Sequence, residues 1–447
     1  MKTTKFFTMA ALALMMTACS NDMEDLTTQQ PAKGKGIPFT ATIEMDDNAI
    51  TRSLSENGTT LKTSWTEGDE IALVYSVGST SYNTTATVQF VMDGTAYITA
   101  TLEDGVVNGT ALTIISPASA ADGTTGNIKS NLLKTQNGKL SSISESLDVR
   151  KGTGIVSVSG SNAVMGSSTK LAAQYAIFKF TLGVAATPEH PLYIKNNSTE
   201  EVITTVTPSS KSWDVYVATA PSSDINYKFE LISDNNRILK RGKATIEAGK
   251  YYQSTLPARY PLDMSDMEKG IDEGCLIAND GKIYMNKSGI PTDKTAEAMV
   301  ALVGQAADNT YGLGFALDNI TDAANSGGHN YSHFYWSKTS KAIETWSTNH
   351  PVPGGTWRLP SENDWQMMFS GCQIAGDQVA IGATDYIING FKQKIDAANV
   401  NLPADNYYRT SNGANRYASF NFSGENATAT FYGDADIPAY IHACLAF

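Results

Sequence analysis

Through residues 37–260, apolar and polar positions alternate in short runs, and clusters of Gly, Asn, Ser and Asp separate the runs. A period of two puts every second side chain on one face of a pleated strand, so this stretch predicts strands buried on one side. The first is Ile37-Pro38-Phe39-Thr40-Ala41-Thr42-Ile43. Ile71-Ala72-Leu73-Val74-Tyr75 follows the turn Glu67-Gly68-Asp69 and reads as a fully buried strand. Val88-Gln89-Phe90-Val91 and Ala111-Leu112-Thr113-Ile114-Ile115 continue the series. A second block opens around Tyr175-Ala176-Ile177-Phe178-Lys179-Phe180-Thr181-Leu182 and closes with the strand from Ala244 to Tyr252. Within it Trp213, Val215 and Val217, and then Tyr227, Phe229 and Leu231, each line one face. Strands at this spacing predict two tandem antiparallel β-sandwiches, 37–175 and 176–260, with 257–267 as a linker.

From residue 268 the pattern mixes periods, which predicts an α+β module over 268–447 and a chain that is mainly β. Cys275-Leu276-Ile277-Ala278 and Lys282-Ile283-Tyr284-Met285 form a hairpin through Asn279-Asp280-Gly281, because Asp-Gly tolerates positive φ. The run 298–303 suits strand or helix by periodicity and is taken as strand. Residues 338–346 predict a helix. In Thr356-Trp357-Arg358-Leu359-Pro360-Ser361-Glu362-Asn363-Asp364-Trp365 a loop enters another, with Ser361 as N-cap, Asp364 completing a capping box, and Trp365, Met368 and Phe369 on its apolar face. A third helix is predicted over 384–398, where Ile387, Phe391 and Ile395 stack at i, i+4 and i+8. Strands return at the end. Ile441, Ala443, Leu445 and Phe447 face one way, making the final residues a core strand.

A length of 447 residues fits about three domains, and the net charge of -12 argues against nucleic acid or an anionic membrane face as partner. The first residues change the picture more. Lys2 and Lys5 precede an apolar run from Phe6 to Met16 that is too short to span a bilayer, so residues 1–18 predict a signal peptide. Met16-Thr17-Ala18-Cys19 resembles a lipobox, which implies cleavage before Cys19, lipid on that cysteine and attachment to the outer membrane. Residues 19–36 are then a tether, and Ser20-Asn21-Asp22-Met23-Glu24-Asp25 resembles the acidic tag of surface-exposed Bacteroidales lipoproteins. Loss of Lys2 and Lys5 takes the net charge from -12 to -14.

The run from Thr356 to Trp365 resembles the Trp-Arg-Leu-Pro-Ser/Thr signature of C-type-lectin-like and formylglycine-generating-enzyme-like domains, most closely the version ending many surface proteins of the Bacteroidales fimbrillin superfamily. A second resemblance lies upstream. The first strand, Arg52, and Trp65-Thr66-Glu67-Gly68-Asp69-Glu70-Ile71-Ala72-Leu73 look like the amino-terminal domain of fimbrillins, and Ile246-Glu247-Ala248-Gly249-Lys250-Tyr251-Tyr252 like the end of their second domain. The resemblance implies proteolytic processing between Arg52 and Ser53. It also implies loss of the first strand and filling of the groove by a strand from another fimbrial subunit. Because Phe447 ends inside the module, no spare donor strand is visible, which places such a subunit at a fimbrial tip. Adhesion is then the expected function, with a host or bacterial surface glycan or protein as ligand. An uncleaved surface lipoprotein, acting as anchor or glycan binder, is the alternative.

Chemistry is sparse. No cofactor and no enzymatic activity are expected, since no Gly-x-Ser-x-Gly elbow or Ser/His/Asp arrangement stands out and formylglycine-type reactive cysteines are missing. The Glu-Pro-Asn, Gln-Pro-Asp and Trp-Asn-Asp motifs of calcium-dependent lectins are absent, and no metal site is expected. Three cysteines lie in the module, Cys275, Cys372 and Cys444, and Cys372 with Cys444 is the preferred disulfide. The candidate ligand surface combines His329, Tyr331, His333, Tyr335 and Trp336 with Tyr407, Tyr408 and Arg409.

Overall fold

A computed structural model describes residues 36–45, 55–57, 60–62, 64–304, 310–321, 333–334, 336–380, 385–402, 407–413, 416–433 and 439–447. Cys19, Arg52, Ser53, His329, Tyr331 and Tyr335 lie outside these residues.

The first domain is built from β1 (Ile37–Met45), β2 (Glu70–Val77), β3 (Thr80–Met92), β4 (Thr95–Leu102), β5 (Ala111–Ser116), β6 (Arg150–Ser159), β7 (Asn162–Met165) and β8 (Thr169–Ala173). The predicted alternation is visible in β1, where Phe39, Ala41 and Ile43 are buried. These strands do not split into two antiparallel sheets as expected. They form one eight-stranded sheet that runs β4, β3, β2, β5, β6 and then β7 and β8, and β1 joins its two ends. Pairing of β1 is antiparallel with β4 but parallel with β7 and β8. A short connection cannot make a parallel pair, and here more than a hundred residues separate β1 from β7.

The second domain is a two-sheet sandwich. Strands β9 (Ala176–Ala186), β12 (Ser212–Thr219) and β15 (Tyr251–Leu256) form one sheet in the order β12, β9, β15. Strands β10 (Leu192–Asn196), β11 (Val202–Val206), β13 (Ser222–Ile232) and β14 (Arg237–Ile246) form the other in the order β14, β13, β10, β11. The boundary expected at residue 175 is not where the packing changes. Thr135–Gln136 pairs in parallel with β11, and the Gln136 side chain meets the Ala218 backbone at both ends, at 2.8 and 2.9 Å. The backbone of Thr135–Gln136 extends that sheet, and the buried Gln136 amide, mimicking a peptide unit, ties it to β12 of the other sheet, without any periodic signal in the sequence.

The C-terminal module contains β16 (Leu276–Ala278), β17 (Lys282–Tyr284), β18 (Ala296–Val303), β19 (Gly312–Ala316), β20 (His333–Phe334), α1 (Trp336–Asn349), β21 (Thr356–Arg358), α2 (Glu362–Gly371), β22 (Asp385–Ile387), α3 (Asn389–Ala397), β23 (Tyr407–Arg409), β24 (Arg416–Asn421), β25 (Thr428–Gly433), β26 (Ala439–Tyr440) and β27 (Cys444–Ala446). One sheet follows the order Leu262–Asp263, β17, β16, β18, β19, β27, β21; a second follows β20, β26, β23, β24, β25, β22. The 298–303 run is a strand, buried along its length, because α1 residues Ala342 and Trp346 cover one face of the first sheet and α2, α3 and the second sheet cover the other. The predicted helix over 384–398 begins later, at Asn389. Its first residues are spent on β22, so Ile387 pairs with Thr428 while Phe391 and Ile395 remain buried on the helix.

Residues 257–267 are not a free linker. Tyr260 and Met267 are buried, and a Cβ on Gly183 would lie 2.1 Å from the Ala258 nitrogen, so the chain leaves β15 pressed against β9. Asp272, fully buried, accepts from Arg259 Nε at 3.0 Å, Arg259 Nη2 at 2.7 Å and the Tyr260 hydroxyl at 2.6 Å. Arg241 Nη1 reaches Glu268 at 2.6 Å, and Asn236 bonds the Tyr260 backbone at both ends, at 2.7 and 3.0 Å. The second sandwich and the module are therefore joined by a packed polar seam.

Candidate functional site

Two places are candidate functional sites: the closing strand β1 and the surface of the C-terminal module. Along β1, seven residues from Ile37 to Ile43 pair with Leu102 to Ala96 of β4, while Phe39 and Thr40 pair with β7 and Ile43 to Met45 with β8. The inward side chains Phe39, Ala41 and Ile43 fill a core that includes Trp65, Ile98, Val156 and Leu171. Full burial of the two large ones contributes roughly 4–5 kcal/mol. Without β1, two strand edges and an apolar trough would face solvent, a surface suited to another strand of the same length.

The signature loop forms a bracket. Arg358, on β21, donates from Nη2 to Asp364 Oδ1 at 2.9 Å, and its Nη1 bonds Oδ2 of the same carboxylate. Asp364 Oδ2 also accepts from the Ser361 backbone and hydroxyl, both at 2.7 Å, while the Ser361 hydroxyl accepts from the Asp364 amide at 3.0 Å, completing the predicted capping box. The same helix start reaches the second sheet: Glu362 N donates to Asn412 Oδ1 at 2.7 Å, Arg416 holds the Glu362 carboxylate, and Ser411 N donates to Pro360 O at 3.0 Å. Trp357 and Trp365 are buried, Trp357 Nε1 donating to His350 O at 2.6 Å. These bonds cap α2 and tie the two sheets together, while the Trp365 indole N–H is buried without a hydrogen-bond partner among the described residues.

The expected ligand surface is only partly assembled. His333 pairs with Tyr440, and Tyr440 with Tyr408, so β20 and β23 do belong to one sheet, and Trp336 opens α1. Tyr408 and Arg409, however, are fully buried. Tyr408 faces inward against Phe420 and Tyr440, and Arg409 lies over the Tyr417 ring. Alternation on a strand sends Tyr407 the other way, and it is 44% exposed beside the equally exposed Tyr432, with ring centroids 5.9 Å apart.

The expected disulfide is not formed. Cys275, Cys372 and Cys444 are all buried thiols. Cys372 caps the end of α2 and points its Sγ at Ala301 O, 3.4 Å away, while Cys444 lies within β27 between Phe315 and Arg358. Burial pushes the Cys275 thiol up to about 11 and Cys372 to about 12, so neither supplies a thiolate at neutral pH. Burial likewise lowers His442 to about 4; its ring stacks on Phe315 at 3.9 Å, with Nε2 2.6 Å from Ala316 O and Nδ1 2.8 Å from Asn319 Oδ1. Among the described residues no three His, Cys, Asp or Glu side chains are grouped as metal ligands would be.

Sequence reasoning missed one feature of the module's surface, a cleft of about 510 Å³ bounded by residues near 276, 287–296, 317–318 and 398–399. Four separate segments supply it, so no local pattern could have revealed it.

No protein-family model and no curated protein matches the chain. Among solved structures, similarity is found to a fimbrial protein from Bacteroides ovatus at 13% identity and a TM-score of 0.28, covering 92% of this chain and 99% of that one. A fimbrial assembly protein from Parabacteroides distasonis matches at 10% identity and 0.26, covering 49% and 90%, and the C-terminally truncated tip fimbrial protein Mfa3 from Porphyromonas gingivalis at 9% and 0.23, covering 47% and 81%. At these scores the functional assignment rests on the strand order and the residues described above.

Proposed function

We propose that the chain is a cell-surface fimbrial subunit of tip or accessory type, made as a lipoprotein precursor with lipid on Cys19. Cleavage between Arg52 and Ser53 releases β1, and a strand from another subunit takes its place. One observation carries this reading: β1 is the strand that joins the two ends of the first domain's sheet, and the segment bearing Arg52 follows it directly. A single cut there severs β1 from the rest of the chain, so that its departure opens both of its pairing edges at once.

The C-terminal module, read as C-type-lectin-like, is then the part presented to a ligand. Its strand β27 lies between β19 and β21 with Leu445 fully buried, so it is not available for donation to a neighbour. Such a subunit accepts a strand through its first domain and uses its last domain for recognition rather than catalysis.

Digestion of the purified chain with an arginine-specific protease tests the exchange. The expected result is a body beginning at Ser53 that loses the β1 peptide when a donor-strand peptide from another fimbrial subunit is added. A body that retains β1 under every condition supports the uncleaved anchor instead.

A further inference from the structure

The chain holds eight arginines and 25 lysines, and the fold uses the two cations differently. Seven of the arginines lie among the described residues, and six of these sit in paired strands. Arg150 is held on both sides, opposite Ser116 of β5 and Ala173 of β8. Arg237 and Arg241 pair across to β13, Arg358 to β27, Arg409 to β24 and Arg416 to β25. The seventh, Arg259, donates its backbone N–H to the Arg237 carbonyl at 2.7 Å inside the seam. The side chains are engaged as well. Arg150 meets Asp148 at 3.2 Å, Arg237 meets Glu230 at 3.2 Å and Arg259 meets Asp272 at 2.7 Å. Asp364 holds Arg358, and Arg409, fully buried, lies over the Tyr417 ring. Arg241 and Arg416 have the most exposed side chains of the seven, at 39% and 46%. Arg241 is pinned twice, to Glu268 at 2.6 Å and to Asn197 at 3.1 Å, and Arg416 Nη2 reaches Glu362 at 2.8 Å. Lysines are placed otherwise. Lys211, Lys250, Lys269 and Lys287 are exposed in connections between strands, a position that no described arginine occupies.

An endopeptidase takes several residues in extended form, so exposed connections are cut and paired strands are cut only when they open. An enzyme that reads arginine must also draw the guanidinium into its own pocket, and a carboxylate already bonded to that guanidinium opposes the transfer. We infer that the folded body of this chain withstands an arginine-specific endopeptidase and yields to a lysine-specific one. The inference rests on the processing reading and names the enzyme that can carry it out. A protease that reads arginine alone can act at Arg52 and leave the rest of the chain whole. One that also reads lysine would break the body in its exposed connections.

The test is limited digestion of the full native chain by an arginine-specific and by a lysine-specific endopeptidase, matched for activity on the denatured chain, with the cut sites mapped by mass spectrometry. Lys211→Arg and Lys269→Arg are digested in parallel, since both keep the charge and lie in exposed connections of different domains. Cleavage after each of the seven arginines is expected to be about a hundredfold or more slower in the native than in the denatured chain. The lysine-specific enzyme is expected to cut the native chain in its connections, and each variant to gain one arginine-specific cut, after residue 211 or 269. Native cleavage after any of the seven at the denatured rate overturns the inference, and so does resistance of both variants at the new arginine. Cleavage after Arg52 is scored on the same maps. Its absence while the seven are spared removes the processing reading and leaves the resistance standing.

Discussion

Arg358 and Asp364 face each other across the start of α2 and share two hydrogen bonds, one of them 2.9 Å from Nη2 to Oδ1, so that a strand of the first module sheet is fastened to the helix packed between the two sheets. Asp364 is 1% exposed, and it also carries the helix cap. Removing it leaves a guanidinium and a helix end without their acceptor. Asp364→Ala is expected to destabilise the module by about 3 kcal/mol, which lowers its Tm by roughly 6–12 °C. Asp364→Asn, which keeps one acceptor oxygen, costs less. Calorimetry of both variants checks the order, and equal Tm values for wild type and Asp364→Ala would show that the bracket carries no stability.

Thiol chemistry gives a second prediction. With Cys275, Cys372 and Cys444 buried as thiols, iodoacetamide is expected to leave all three unmodified in the folded chain and to label all three after denaturation. Reductant should leave the Tm unchanged. A non-reducing peptide map containing a Cys372–Cys444 cross-link contradicts the structure.

The seam at Asp272 yields a third. The buried carboxylate holds Arg259 and Tyr260 at the exit from the second sandwich, and Arg259 is itself 9% exposed. Trypsin is therefore expected to spare the Arg259 peptide bond in the native chain and to cut it readily in Asp272→Ala. Equal resistance in the two would mean that packing alone, without the ion pair, holds the two parts together.

His442 makes the module sensitive to acid. Its folded value of about 4 lies below the ordinary imidazole value of 6.5, so between these the unfolded chain takes up a proton that the folded chain does not. Stability from this group is fully present above pH 6.5 and declines as pH falls towards 4, by about 3 kcal/mol at most. Urea titrations at pH 7.5, 5.5 and 4.5 should show this loss in the wild type. The part of the slope due to His442 disappears in His442→Gln, and an unchanged slope in that variant refutes the assignment.

Much of this was legible in the residues. The alternation of Phe39, Ala41 and Ile43 and the Ser361 to Asp364 cap are local patterns, each found in its element, and Ile441, Ala443 and Leu445 share one core although only Cys444–Ala446 forms the strand. What failed to show was non-local. Tyr408 and Arg409 carry the side-chain types of a binding surface, but Tyr408 is buried by the face of β23 that meets Phe420 and Tyr440, and Arg409, on the other face, is buried with Tyr417. The Pro-containing stretch 257–267 has a linker's composition, and residues outside it, Asn236 before and Asp272 after, convert it into a seam. Cys372 and Cys444 were paired on position along the chain, whereas the chain's packing sends Cys372 to the Ala301 carbonyl. The role of β1 as the closing strand required the parallel partners β7 and β8, which no pattern in the first sixty residues announces.

The central claim is that β1 is exchangeable, and the amino terminus of the protein on intact cells tests it most directly. Mass spectrometry of the surface fraction is predicted to find a chain that begins at Ser53, in company with other fimbrial subunits. A chain that begins only at lipidated Cys19, with no shorter form while the arginine-specific protease is active, would contradict it.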